Sequence, residues 1–101
     1  MYLDVDLSSH PAAIALREPD DFKAFKVVRR GEGDLAAALG AVGRVGDEDH
    51  VFLLPDAVRA LAGARGGDAG WLEGFAAMLD YAGQHGWVAD DGAVRAHVER
   101  A

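Results

Sequence analysis

Hydrophobic and polar residues alternate at the start of the chain. Leu3, Val5 and Leu7 are separated by Asp4 and Asp6. A period of two puts the apolar side chains on one face of an extended segment and the polar ones on the other. The pattern therefore predicts a strand over residues 2–7 with one face in contact with water.

The segment that follows, Ala12 to Arg17, has two interpretations. It forms either a short helix capped by Ser9, with Pro11 near the first turn, or an extended connector. The pattern of apolar residues fits both, so the sequence leaves the two open.

Residues 20–30 are also ambiguous. Acidic residues at the start, and Arg29, Arg30 and Gly31 at the end, complement a helix dipole and supply a helix-ending glycine. The apolar and β-branched residues within residues 25–28 favour a strand instead. A helix and then a further strand are predicted after this segment, as in a βαβ unit, and we therefore favour the strand.

Three elements are predicted in the middle of the chain. Asp34 is a suitable N-cap for a helix over residues 35–42, and Gly43 follows the end of that helix. The apolar run Val51–Leu54 is typical of a buried strand, and Pro55 starts a short helix directly after it.

The clearest element is a long helix near residues 68–85. Asp68 is placed to cap it, Gly86 to end it, and Trp87 to fold back over its last turn. Its apolar residues recur at helical spacing and define one buried face: Trp71, Leu72, Phe75, Met78, Leu79 and Ala82.

The chain closes on a second alternating pattern. Val94, Ala96 and Val98 alternate with polar residues after a turn signal at residues 90–92, which favours a strand over 93–99. A last helix capped by Asp91 is the alternative. Altogether the sequence predicts a single α+β domain, residues 1–101, with about four short strands and about three helices.

Composition narrows the classes of function. The chain has 101 residues, of which 50% are hydrophobic and 27% charged, as in a globular domain. It contains no cysteine, which excludes disulfides, thiolate metal sites and cysteine nucleophiles. No secretory signal or membrane-spanning run is visible, so we expect a cytoplasmic protein. Its amino-acid usage is that of GC-rich codons and indicates a bacterial source.

The charge of the chain argues against two kinds of partner. The formal net charge is −7, whereas nucleic acids and anionic membranes attract proteins through Lys and Arg. One basic patch, formed by Lys23, Lys26 and two arginines near Phe22 and Phe25, is better explained by balance with neighbouring acids. We expect binding to neither nucleic acid nor membrane.

Histidines and carboxylates are the candidates for acid–base chemistry. Asp47, Glu48, Asp49 and His50 form a polar cluster where a strand begins, and His97 lies on the polar side of the last strand. Histidine titrates near neutral pH and suits proton transfer. The candidate catalytic residues are therefore His50, His97 and Asp49. A solvated turn needs polar residues in any case and is the favoured explanation of the cluster, and the histidine spacing is not that of a zinc site.

No cofactor motif is present. The glycine clusters lack the lysine and the spacing of a phosphate-binding loop, so no cofactor and no metal are expected. Trp71 and Trp87 are the candidate ligand-binding residues, because tryptophan supplies large contact areas in binding sites. Trp71 also fits the apolar core of the long helix.

Two functions follow as hypotheses. The first is a protein-interaction or homo-oligomerising module that uses a sheet edge or the Trp-bearing helix. The second is a small-molecule-binding protein or an acid–base enzyme, whose site combines His50, His97 and Asp49 with an aromatic wall from Trp71 or Trp87. The second requires the two strands that carry the histidines to meet at one cavity. Whether the protein is an enzyme is left open.

Overall fold

Six strands form one mixed sheet in the computed structural model, which describes residues 1–101. The strands are β1 (Tyr2–Asp6), β2 (Ala13–Arg17), β3 (Lys26–Arg30), β4 (Gly43–Val45), β5 (His50–Leu53) and β6 (Val94–Arg100). Their order across the sheet is β2-β1-β3-β6-β5-β4. The central pairs β1–β3 and β3–β6 are parallel and the outer pairs are antiparallel.

Three α-helices complete the domain: α1 (Leu35–Leu39), α2 (Pro55–Leu61) and α3 (Ala69–Gln84). Each contributes buried side chains to the cluster that also holds the inward residues of the strands, so the helices cover one face of the sheet. None of the helices combines the length and the hydrophobicity that a membrane-spanning helix requires.

The alternating patterns place the core as expected. Leu3 and Val5 of β1 are buried, and so are Val51 and Leu53 of β5. The opposite face of the sheet is polar, and its ion pairs join Asp4 to Arg17 and Arg30, and Lys26 to Glu99. Burial of one face and solvation of the other give the strands their period of two.

The prediction for α3 is confirmed in detail. The Asp68 side chain accepts hydrogen bonds from the backbone N–H groups of Gly70 and Trp71. At the other end Gly86 is left-handed with φ of 75°, and the Trp87 N–H donates to the Ala82 carbonyl at 3.0 Å. This is the Schellman arrangement that satisfies the last carbonyls of a helix.

The expected number of about four strands is wrong, because two edge strands were not predicted. Residues 13–17, left open between helix and connector, form β2 along β1, with Ile14 and Leu16 beside Val5 and Leu3. The segment is extended because it pairs with β1, and its own residues do not distinguish that state from a helix.

The second missed strand is β4. The helix expected over residues 35–42 ends at Leu39, and residues 40–42 form a 3₁₀ turn. Gly43, expected to follow a helix end, is instead extended and pairs with Leu53 of β5. A three-residue strand has too few positions to show an alternating pattern.

The two remaining ambiguities resolve as strands. Residues 26–30 form β3, confirming the preferred interpretation of that segment, and residues 94–100 form β6 in place of a helix capped by Asp91. The Asp91 side chain caps a turn instead, accepting from the Ala93 N–H at 3.1 Å.

Acid is expected to destabilise this fold through its paired carboxylates. Hydrogen bonds from Arg65 and Arg44 lower the pKa of Asp20 and Asp91, respectively, from the ordinary 3.8. Because the native carboxyls bind protons less tightly than the unfolded ones, their contribution is complete above about pH 4 and is lost at lower pH. The melting temperature, followed by circular dichroism, should fall across that range. In the double variant Arg44→Gln/Arg65→Gln the fall should be shallower, and an unchanged slope would contradict the assignment.

Candidate functional site

A gap in the sheet lies beside the first half of β6. β6 has β5 on one side and β3 on the other. β3 pairs with β6 only from His97 onwards, so the residues of β6 before His97 have no partner in β3. Before that point the neighbour of β6 is the segment that follows α3, where the Arg95 N–H donates to the Trp87 carbonyl at 2.8 Å. The two neighbours do not meet, so a notch remains between Phe25, which precedes β3, and Trp87.

The notch forms a cavity of about 280 Å³. Its walls come from the loop before β3, the C-terminal half of α3, Trp87, and the strands β5 and β6. Nine of its thirteen lining residues are hydrophobic. The lining residues are Phe22, Lys23, Ala24, Phe25, His50, Met78, Leu79, Tyr81, Ala82, Trp87, Val94, Arg95 and His97.

The end of α3 shapes one wall of the cavity. The turn at Gly86 brings Trp87 back beside the helix, where its ring stacks on His85 at a centroid distance of 4.6 Å. Tyr81 lies edge-on to the same ring at 6.0 Å. The Arg95 guanidinium lies over the Trp87 ring, 5.9 Å from its centroid. The aromatic wall is thus held by both the helix and β6.

The two histidines of the cavity are neighbours across the sheet. His50 of β5 and His97 of β6 are paired in register, and their rings meet edge to face at 5.7 Å. Both project from the polar face of the sheet, because the residues next to them, Val51 and Ala96, are buried in the core. Cross-strand pairing therefore brings together two residues that are distant in sequence.

His50 is oriented by Asp47. Its Nδ1 lies 3.0 Å from Asp47 Oδ1. Hydrogen bonds from the Asp49 N–H and from His50 lower the pKa of the Asp47 carboxyl. An ionised carboxylate only accepts, so the Nδ1 of His50 carries the hydrogen and Nε2 is the nitrogen left for a ligand.

The structure brings together three of the residues singled out in the sequence: His50, His97 and Trp87 all line the cavity. Asp49 does not line it. The Asp49 carbonyl accepts the Val98 N–H at 2.7 Å, and the carboxylate that contacts His50 belongs to Asp47. Asp47 and His50 are three residues apart in a tight turn, which brings the Asp47 carboxylate close to the His50 ring.

Trp71 lies in the core, away from the cavity. It is 5% exposed and stacks on Phe75 at 4.8 Å, and its indole N–H donates to the Pro19 carbonyl at 2.8 Å. Buried on all sides and satisfied in hydrogen bonding, it offers no surface to a ligand or a partner.

Arg95 and Tyr81 belong to the site, although sequence reasoning did not assign them to it. Arg95 stands two positions before His97 on the same strand, and that spacing alone puts both on one face. No group of three or more His, Asp or Glu side chains is placed to hold a metal ion.

Comparison with models of known protein families, with curated proteins and with solved structures gives no match to this chain. The interpretation of the cavity therefore depends on its own geometry.

Proposed function

We propose that this protein binds a small molecule in the cavity beside β6. The observation that carries the proposal is an apolar cavity of about 280 Å³ that also receives His50 and His97 from paired strands. Binding sites combine an apolar lining with a few placed polar groups in this way, and typical volumes begin near 300 Å³. The volume favours a small metabolite over a nucleotide.

The same site has the parts for proton transfer. Asp47 holds His50 with Nδ1 bonded, which leaves Nε2 to take or give a proton, and His97 lies beside it. A histidine oriented by a carboxylate is a common general acid–base pair. The binding proposal therefore extends to acid–base catalysis, which would be seen as chemical conversion of a bound compound.

The competing proposal is a homo-oligomerising or protein-interaction module. Its best surface is the outer edge of β2, which pairs with another strand on one side only. The polar face of the sheet carries ion pairs suited to water, and Trp71 is buried, so neither provides an apolar anchor. For either role we propose a cytoplasmic location, because a chain without cysteine forms no disulfide and does not need an oxidising compartment.

A thermal-shift screen with a matched pair of variants tests the binding proposal. Trp87 and Phe52 both lie under an arginine guanidinium, at 5.9 and 5.1 Å, but only Trp87 lines the cavity. Probes are indole, benzoate, 3-phenylpropionate and their neutral amides. A probe at 100 times its Kd stabilises by about 2.7 kcal/mol, which is several degrees in a domain of this size.

We expect at least one probe to raise the melting temperature of the wild type and of Phe52→Leu, and to have no effect on Trp87→Leu. A shift that persists in Trp87→Leu would place binding elsewhere. No shift with any probe, together with a dimer in light scattering, would favour the interaction module instead.

A further inference from the structure

We infer that the molecule bound in this cavity carries a carboxylate on an apolar body. The inference depends on the proposed function, because it names the chemical class of ligand for the same site. It is carried by the distribution of unpaired positive charge in the molecule.

The chain has ten Lys and Arg residues, and the side chains of eight of them form an ion pair or a hydrogen bond within the protein. Six contact a carboxylate: Arg17, Lys26, Arg30, Arg44, Arg65 and Arg100. Two more, Arg29 and Arg59, donate to backbone carbonyls. The side chains of the remaining two, Lys23 and Arg95, have no hydrogen-bond or ion-pair partner, and both line the cavity.

Acidic residues are absent from the same lining. The chain has 17 Asp and Glu residues against 10 Lys and Arg, yet none of the residues that line the cavity is acidic. Lys23 and Arg95, which have no carboxylate partner, therefore border a cavity whose lining includes no acidic side chain. The Asp47 carboxylate lies outside this lining and is hydrogen-bonded to His50. In a chain of net charge −7, this local excess of positive charge favours an anionic ligand over a neutral or cationic one.

The position of Arg95 suits a carboxylate. Its guanidinium lies over the Trp87 ring at 5.9 Å, and His97 projects from the same face of β6. A planar guanidinium donates two parallel hydrogen bonds to a carboxylate, and the flexible ammonium of Lys23, in the loop before β3, supplies a second positive charge. The apolar part of the ligand would pack on Phe25, Met78 and the Trp87 ring.

A phosphate is the less suitable anion. Phosphate sites use helix N-termini and backbone N–H groups, and none of the residues that line this cavity belongs to the N-terminus of a helix.

Titration calorimetry with acid–amide pairs tests the inference. The probes are butyrate, 3-phenylpropionate and indole-3-acetate, each beside its neutral amide of nearly identical shape, with phenyl phosphate as the alternative anion. Charge-assisted hydrogen bonds contribute about 1.5–3 kcal/mol. We therefore expect at least one acid to bind about tenfold or more tightly than its amide and more tightly than phenyl phosphate.

Three variants locate the preference. Arg95→Gln and Lys23→Gln should reduce the acid-over-amide ratio towards one, and Arg44→Gln, a control on the same face of the sheet but outside the cavity, should keep it. If an amide binds as tightly as its acid, or the ratio survives in Arg95→Gln and Lys23→Gln, the carboxylate inference fails and the binding proposal stands. If phenyl phosphate binds most tightly, the ligand is a different anion. If no probe binds, both fail.

Discussion

Replacement of Trp71 by alanine is expected to lower the free energy of unfolding by about 3–5 kcal/mol. Trp71 is 5% exposed, stacks on Phe75 and packs near Phe22, and its indole N–H donates to the Pro19 carbonyl. Truncation removes these contacts and leaves a cavity between α3 and the loop before β3. Small domains are stable by about 5–15 kcal/mol in total, so this loss is a large share.

Trp87→Ala is the matched comparison, because Trp87 is only half-buried and lies at the wall of a cavity. Its replacement should lower the free energy of unfolding much less than that of Trp71 while abolishing the binding of probes. Urea denaturation followed by far-ultraviolet circular dichroism measures both variants without relying on tryptophan fluorescence. Equal losses of stability would show that both tryptophans are structural.

The second large effect is expected for Gly43→Ala. An added Cβ would lie 2.2 Å from the Phe52 carbonyl oxygen and 3.1 Å from the Leu53 Cα. Both are backbone atoms of β5, which cannot rotate away as a side-chain end would, so β4 must separate from β5. Overpacking of this kind costs about 1–3 kcal/mol and sometimes more. The value for Gly43→Ala comes from the same urea titration.

Gly83→Ala is the control for that substitution. Gly83 lies in α3 and nothing is within 4 Å of its added Cβ, so alanine should stabilise the helix by about 0.5–1 kcal/mol. Opposite signs for the two glycines would confirm the close contact of β4 with β5. A stabilised Gly43→Ala would show that β4 is free to move.

The sequence predicted β1 and α3 correctly, because these elements are stabilised by interactions within their own segments. The alternation of Leu3 and Val5 predicted β1, and the caps at Asp68 and Gly86 predicted both ends of α3. Hydrogen bonds between a side chain and the next few backbone groups, and the burial of one face, act within a single segment. They can therefore be deduced from the order of residues alone.

The edge strands depended on pairing with the strand next to them in the chain. β2 exists because Ile14 and Leu16 pair beside β1, and β4 because Gly43 allows a close approach to β5. A short strand at a sheet edge gains its hydrogen bonds from its neighbour, so its own residues carry little signal.

The same distinction applies to the site. The sequence marked His50, His97 and Trp87 as chemically notable, since residue type and strand position are local properties. Their meeting in one cavity was decided by the register of β5 against β6 and by the notch where β3 has not yet begun. Both tryptophans belong to the α3 region, and only the orientation of that helix on the sheet determines that Trp71 is buried while Trp87 lines the cavity.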